Sequence, residues 1–265
     1  MQHREQYDSD VSDREWTIIR QFLPQRGRLG RPPRYERKEV FNAIMYVTKT
    51  GCPWRYLPHD FPGWRLVYYY FASWQELGVW QRINDALREK VRKKSAKKKA
   101  PSVAILDAQS VKMADQPGER GFDPGKKVKG RKRHLLVDTL GLTLVAVVHS
   151  AAIQDREGAK LVIQKARWFG WLRVIFADAA YNGQLVTWVR EFFGRQGTHL
   201  SIVPRLGHGF RLLAKRWIVE RTFSWLTHYR RLTKDYEVKT EHSEAFIYAA
   251  AARLMLRRLA SSPPR

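Results

Sequence analysis

Two apolar, β-prone segments that each run into an aspartate place the strongest constraint on the fold of this chain. Asp107 follows the apolar run in SVAILDAQSVK, and Asp178 follows the one in LRVIFADAAYNG, before the breaker Asn182-Gly183. Such runs are typical of buried strands, and we expect each strand to end at its aspartate. If the two strands are neighbours in one sheet, the carboxylates lie close together, which is unfavourable without bound cations.

A third carboxylate lies in a predicted amphipathic helix over residues 215 to 231, KRWIVERTFSWLTHYRR. At about 100° per residue, Ile218, Thr222 and Trp225 fall on the core side, and Glu220 lies on the opposite, mostly basic stripe. A surface glutamate in such a stripe commonly pairs with neighbouring cations. If the helix instead packs across the sheet, Glu220 converges with the two aspartates. Three carboxylates without a Cys or His cluster favour Mg²⁺ or Mn²⁺ over zinc.

The order of predicted elements from residue 102 onwards indicates an α/β fold. Three antiparallel strands are followed by helix, strand, helix, strand and helix, and the second and third strands form a hairpin around Leu140-Gly141. Asp138 before this turn is either a hairpin residue or a fourth acid near the metals. The glycine-rich, basic segment GERGFDPGKKVKGRK is predicted to be a loop near the active site. His134 and His149 have no metal-ligand spacing and are predicted to be structural.

Taken together, these motifs resemble the DDE transposases of bacterial insertion sequences, specifically the IS5 family. The resemblance is carried in order by LDAQSVK, GERGFDPGKKVKGRKRHLLVDTLGL, FADAAYNG and RWIVERTFSWL. It implies a ribonuclease-H-like fold, a mixed sheet flanked by helices, with Asp107, Asp178 and Glu220 as catalytic residues. It also implies two Mg²⁺ or Mn²⁺ ions, with Asp107 bridging both while Asp178 and Glu220 hold one each.

The same resemblance implies the substrate and the assembly. The partner is double-stranded DNA, as transposon ends and as target, and a homo-oligomer is expected on paired ends. Wider relatives carry a Tyr, Arg, Glu, Lys signature around the third acid, of which this chain keeps Arg216 and Glu220. Leu213 and Thr227 stand at the Tyr and Lys positions.

Charge and composition agree with a nucleic-acid partner. The 265 residues carry 49 Lys and Arg against 25 Asp and Glu, a formal net charge of +24, and such an excess indicates a polyanionic partner. Cys52 is the single cysteine, which excludes an intramolecular disulfide and fits a reducing compartment. Because no apolar run approaches the roughly 20 residues of a membrane span and the polar start does not resemble a signal peptide, we expect a bacterial cytoplasmic, nucleoid-associated protein without membrane contact.

The amino-terminal third is predicted to be an all-helical, helix-turn-helix-like domain over residues 1 to 92. Ser12 and Glu15 have the form of a capping box that begins a short helix, and further helices are expected at 37 to 49, 64 to 77 and 80 to 93. The run KKSAKKKAP gives a basic linker at 93 to 101. The ribonuclease-H-like catalytic domain then occupies 102 to 265.

Several basic residues are candidates for contact with DNA. The arm RGRLGRPPRYERK either follows a groove or the phosphates or is a solvated loop, and the aromatic residues of the helix at 64 to 77 either flank a recognition surface or belong to the core. The candidates are Arg31, Arg34, Arg65, Lys126, Lys127, Lys129, Arg131, Lys132, Arg216 and Arg231.

Two other functions remain open from the sequence. A non-transposing ribonuclease-H-like nuclease or resolvase should lack the basic amino-terminal helical part. A domesticated protein that binds DNA without cutting it should have a broken set of acids, whereas all three are present in this sequence.

Overall fold

Helices form the amino-terminal part of the chain. The computed structural model describes residues 4–24, 35–203 and 216–261, and in it the first helices are α1 (Asp13–Ile19), α2 (Arg37–Thr50), α3 (Trp64–Glu76) and α4 (Val79–Lys94). The predicted capping box is confirmed, because Ser12 Oγ accepts from the Glu15 N–H and the Glu15 carboxylate accepts from the Ser12 N–H. Gly51 ends α2 with a φ of 73°, a left-handed conformation that glycine adopts without strain.

A mixed sheet follows the helices. Its strands are β1 (Val103–Lys112), β2 (Gly121–Asp123), β3 (Val128–Asp138), β4 (Thr143–Ser150), β5 (Val174–Ala177) and β6 (His199–Ile202). The long strand β3 pairs antiparallel with β1 on one side and with β2 and β4 on the other, whereas β1, β5 and β6 run parallel. The predicted order of three antiparallel strands followed by helix, strand, helix, strand and helix is found, with β2 as an additional short strand.

Two sequence predictions about this sheet were wrong. β1 does not end at Asp107 but continues to Lys112, because β3 offers a hydrogen-bonding partner along its whole length, down to Lys112 opposite Gly130. The segment predicted as a basic loop forms β2 and the first part of β3. Its glycines allow this close pairing, since a Cβ on Gly130 would lie 2.1 Å from the Val111 carbonyl oxygen.

The remaining helices cover both faces of the sheet. They are α5 (Asp155–Lys165), α6 (Gln184–Phe193), α7 (Arg216–Thr227) and α8 (Thr240–Ala260). Residues alternate along β1: Ala104 and Leu106 pack with α5 and α6, and Ile105 packs in the core that contains α7 and α8. This alternation is what a period of two along a strand requires.

The helical part shares a hydrophobic core with the sheet. One buried cluster runs from Val11 in the amino-terminal segment, through Phe41 and Trp80, to Ile105 on β1 and Phe246 on α8. Helices α1 to α4 all contact α8, which also packs on β4. On α3, Val67 and Phe71 face this core while Arg65 and Tyr69 are exposed. The division at residues 92 and 102 stays a prediction.

Membrane insertion can be examined for the helices of the described ranges. In residues 4–24, 35–203 and 216–261, no helix combines the length and the apolar character of a membrane span.

Candidate active site

Asp107 and Asp178 lie at the same level of two adjacent strands. In the parallel pairing of β1 with β5, Ile105 is opposite Phe176, and each aspartate comes two residues after its member of this pair. Adjacent strands are about 4.8 Å apart, so the backbones of the two aspartates are neighbours at the carboxyl end of β5. Both side chains are half-buried. The condition set by the sequence analysis, that the two strands are neighbours in one sheet, is therefore met.

Local hydrogen bonds orient both carboxylates. Asp107 Oδ1 accepts from the Ala108 N–H at 2.7 Å. Asp178 directly follows β5 and caps the next turn, where its Oδ1 accepts from the Ala180 N–H at 2.9 Å. Side-chain-to-backbone bonds of this kind fix the direction of a short acidic side chain.

Glu220 lies on α7, a helix that packs against the strand of the first acid. The helix packs on β1 and β3 because Ile218, Val219 and Phe223 are buried on its inner side. Glu220 lies on the exposed side of the helix. A hydrogen bond of 2.9 Å from the Thr222 hydroxyl to the Gly141 carbonyl fixes α7 against the β3–β4 turn.

Asp138 belongs to the turn and not to the acidic group. Its Oδ1 accepts from the N–H groups of Leu140 and Leu142, at 2.8 and 2.9 Å. Its Oδ2 pairs with Arg92 on α4 at 2.5 Å, and the side chain is fully buried. This arrangement decides between the two readings of Asp138 in favour of the hairpin.

The acidic residues fit a hard divalent cation by their chemistry. Carboxylate oxygens are the ligands that Mg²⁺ and Mn²⁺ prefer, and the pairing of β1 with β5 makes the backbones of Asp107 and Asp178 neighbours. Within residues 4–24, 35–203 and 216–261, no three His, Cys, Asp or Glu side chains are grouped closely enough to hold a metal ion. A complete three-carboxylate cluster is therefore not formed in the described part of the chain.

Four of the basic candidates are exposed. Arg65 lies on α3 with its guanidinium 5.5 Å from the Trp64 ring centroid. Lys126, Lys127 and Lys129 project from the β2–β3 hairpin. The Lys126 ammonium donates to the Ala108 carbonyl at 3.0 Å, which places this cation beside the residue that follows Asp107.

Three other candidates are buried in ion pairs. Arg131 has no exposed surface and donates to Asp235 at 3.0 Å, and Lys132 is 2.8 Å from Asp155. Arg231 pairs with Glu237 at 2.6 Å. Burial raises the pKa of Glu237, although the Arg231 guanidinium acts to lower it. These cations have carboxylate partners inside the protein and little surface for a phosphate, so we do not retain them as DNA contacts.

The last three candidates are not placed. Arg31 and Arg34 lie outside the described residues, and so does the side chain of Arg216.

A polar cluster under the hairpin was missed in the sequence. Asp123 accepts from the Ser110 hydroxyl at 2.5 Å and from the Lys126 N–H at 3.1 Å, and Lys132 lies 3.5 Å away. Burial alone would raise the pKa of Asp123, but these donors hold it below its ordinary value. The Asp-Pro-Gly sequence at 123 to 125 is a turn signal that could have indicated this role.

Comparison with known proteins gives matches along most of the chain. The family model described as "Transposase DDE domain" matches residues 98–256. A second model, described as "Putative transposase of IS4/5 family", matches residues 11–84.

Two similar proteins come from Burkholderia cepacia. The "Putative transposase for insertion sequence element IS402" is 30% identical over 127 residues, which cover 44% of this chain and 59% of that protein. The "Insertion element IS402 uncharacterized 16.2 kDa protein" is 29% identical over 125 residues, covering 43% of this chain and 80% of that protein. The chain thus spans less than two thirds of the length of the first of these relatives.

The DDE model covers more than half of the chain, and its limits include Asp107, Asp178 and Glu220. A DDE domain has a ribonuclease-H-like fold, which agrees with the strand order found here. This chain belongs to the DDE-domain transposase family.

Proposed function

We propose that this protein is the transposase of a bacterial insertion sequence, which binds terminal inverted repeats and catalyses DNA strand cleavage and strand transfer. The observation that carries the proposal is the parallel pairing of β1 with β5, which brings the backbones of Asp107 and Asp178 next to each other, together with the packing on β1 of the helix that carries Glu220. A DDE-family chain with all three acids has the residues that this chemistry needs.

The three carboxylates would hold two Mg²⁺ or Mn²⁺ ions. When bound, such ions would lower the pKa of a water molecule and neutralise the charge that develops on the phosphate. Water would attack the phosphorus at a transposon end as the P–O3′ bond breaks, and the 3′-oxygen would take up a proton and leave as a hydroxyl. In the second step that 3′-hydroxyl would attack a phosphate of the target DNA, forming a new P–O bond as the target's own P–O3′ bond breaks and releases a 3′-hydroxyl, so no protein nucleophile would take part.

The exposed cations would hold the DNA. Lys126, Lys127 and Lys129 form a basic edge on the β2–β3 hairpin next to β1, and the bond from Lys126 to the Ala108 carbonyl keeps this edge close to Asp107. Arg65 on α3 is a contact for the same DNA further from the acids. Arg31, Arg34 and Arg216 stay candidates from the sequence.

The partners follow from this function. Double-stranded DNA is both donor and target, and a homo-oligomer would hold two ends together. A protein with this substrate in a bacterium acts in the cytoplasm, at the nucleoid.

The test uses a labelled duplex with the inverted repeat that flanks the gene, purified protein and Mg²⁺. We expect wild type to cut at the repeat boundary. Asp107→Asn, Asp178→Asn and Glu220→Gln should each bind the duplex but cut it at least about 100-fold more slowly, because each removes one charged ligand at the reacting phosphate. Asp115→Asn makes the same chemical change at an exposed position and should cut as wild type does.

The proposal would be contradicted if the protein bound the duplex but cut it neither with Mg²⁺ nor with Mn²⁺. That outcome in wild-type protein would favour a DNA-binding protein that does not cut. Equal cleavage by wild type and the three variants would show that these acids are not the catalytic ones.

A further inference from the structure

A cationic pocket lies where the amino-terminal helices meet the last two helices. It has a volume of about 110 Å³ and is lined by residues from the amino-terminal segment, from α2, from the end of α7 and from α8. The smallest cavity that holds one water needs about 10–15 Å³, so this pocket has room for several waters or for one phosphate group.

The lining of the pocket carries positive charge and no acid. Lys49, His228 and Arg257 are exposed at its edge, and Arg253 lies deeper with 6% of its surface exposed. Arg253 is neutralised by its ion pair with Glu15, which leaves Lys49 and Arg257 as the cations in excess. The Lys49 ammonium donates to the His228 carbonyl at 3.0 Å, so the carbonyl that would repel an anion is already occupied.

Two buried polar atoms of the lining have no partner. In the part of the chain that the structure describes, neither Ser9 Oγ nor Arg253 Nε makes a hydrogen bond, although both atoms are inaccessible to solvent. Ser9 itself is 6% exposed. Buried donors without a partner are rare and each calls for an explanation. Both atoms belong to residues that line one cationic pocket, so a small side-chain rotation toward an anion in this pocket would give each of them a partner.

We propose that this pocket binds a phosphate group, with Lys49 and Arg257 as its charge partners and Ser9 and Arg253 as hydrogen-bond donors. The inference rests on the proposed function for the source of the phosphate, which we assign to the DNA backbone. A free phosphate or a small phosphate-bearing molecule has the same chemistry and is separated from DNA by the experiment below.

The position of the pocket is suited to a second DNA contact. His228 directly follows α7 and is eight residues from Glu220, roughly 12 Å along a helix at 1.5 Å per residue. Duplex DNA presents a phosphate about every 3.4 Å per strand. A phosphate in the pocket would therefore lie within a few base pairs of one at Glu220, if the DNA follows the direction of this helix.

The experiment compares wild type with Lys49→Gln/Arg257→Gln. The control is Arg190→Gln/Arg195→Gln, which removes the same charge from exposed residues at and just after the end of α6. Thermal unfolding is followed as inorganic phosphate replaces chloride at constant ionic strength. We expect a saturable rise in Tm for wild type and control, and an apparent phosphate affinity at least tenfold weaker for the pocket variant.

A second measurement identifies the source. Binding of a short duplex is measured from low to high salt, and one phosphate contact contributes about 0.9 to the slope of log K against log salt. If the pocket variant lowers the slope by about 1 and the control does not, the pocket holds a DNA phosphate. If phosphate binds but the slope is unchanged, the pocket serves a small phosphate-bearing molecule.

The proposal would be overturned if the pocket held only water. In that case wild type, pocket variant and control would respond to phosphate equally and would show the same dependence of DNA binding on salt. Both measurements are independent of catalysis, so a failure to cleave DNA leaves their result intact. Ser9→Ala is a further variant that changes no charge, and it should also weaken the binding of phosphate.

Discussion

At the residue scale, a buried histidine pair stands out next to the first acid. His134 Nδ1 and His149 Nε2 are 2.8 Å apart, on neighbouring strands β3 and β4. Gly158 on α5 packs against both rings, and a Cβ there would come within 2.4 Å of each. His134 lies opposite Ala108 in the pairing of β3 with β1, so the pair supports the strand that carries Asp107.

This pair should make stability depend on pH. Burial, with smaller contributions from His149 and Lys132, holds the pKa of His134 well below its ordinary 6.5, and burial also lowers the pKa of His149. As the pH falls below about 6.5, these two histidines bind protons in the unfolded chain but not in the folded chain. The stability that the neutral pair contributes is therefore fully present above this pH and is lost progressively below it.

We expect the free energy of unfolding to fall between pH 6.5 and 5.5, with a slope of at most about 1.4 kcal/mol per pH unit for each histidine. His134→Gln/His149→Gln should flatten this slope. The measurement is urea unfolding at a series of pH values, with His228→Gln, an exposed histidine, as control. An unchanged slope in the double variant would mean that other groups determine the acid sensitivity.

At the element scale, α7 is positioned by a turn and not only by its apolar side. Arg92 on α4 pairs with Asp138, Asp138 caps the β3–β4 turn, and the turn accepts hydrogen bonds from α7 through Thr222 and Arg221. The placement of α7, the helix that carries Glu220, thus depends on contacts that begin outside the sheet.

Gly141 in the β3–β4 turn lies in close contact with α7. Its φ is +79°, and a Cβ there would lie 2.8 Å from Thr222 Oγ1 and 2.9 Å from the Trp225 ring. Gly141→Ala therefore forces the Thr222 and Trp225 side chains, or α7 with them, to move. We expect cleavage to fall by about 10- to 100-fold, as small displacements of catalytic groups do, while DNA binding is retained.

Gly197 provides a matched control for that substitution. Its φ is +73°, and a Cβ there would meet no atom within 4 Å. Gly197→Ala should cost about 1–2 kcal/mol from backbone strain alone and leave cleavage per folded molecule unchanged. Cleavage and urea unfolding are compared for both variants, and equal losses of activity would show that the α7 contact does not matter.

The bounds of the helices were more predictable from the sequence than the burial and the partners of the charged side chains. The periodicity indicated α2, α3 and α4 within a residue or two because their apolar spacing is local information. Burial of Arg131 was not predictable, since it depends on Asp235, which is 104 positions further along the chain. In the candidate site, apolar runs before Asp107 and Asp178 sufficed for the strands, whereas the contact of Lys126 with the Ala108 carbonyl depends on a hairpin that was taken for a loop.

At the scale of the whole molecule, the helical part and the sheet are joined through α8. This helix is buried along most of its length between α1, α2, α3 and α4 on one side and β4 on the other. The composition predicts a domain boundary with a basic linker at 93 to 101, and this division stays a prediction. Sequence composition does not report which apolar faces meet, and the continuous core is visible only in the folded chain.

A buried ion pair tests whether the chain unfolds as one unit. Glu15 on α1 pairs with Arg253 on α8, and they are 4% and 6% exposed. Arg253→Met leaves the carboxylate buried without its partner and should cost about 3–5 kcal/mol. Adding Glu15→Gln removes the second charge, keeps a capping-box residue and should recover most of this loss.

We expect Arg253→Met to lower the urea midpoint measured by tryptophan fluorescence, and to lower hydrogen-exchange protection in β1 and β3 by the same free energy. Arg257→Met, an exposed arginine one turn further along α8, should change neither. A single core requires this coupling, because loss of the α1–α8 contact exposes the side of α8 that the sheet also needs. If the helices unfolded first while protection in the sheet stayed at its wild-type value, residues 1 to 92 and 102 to 265 would be separate folding units.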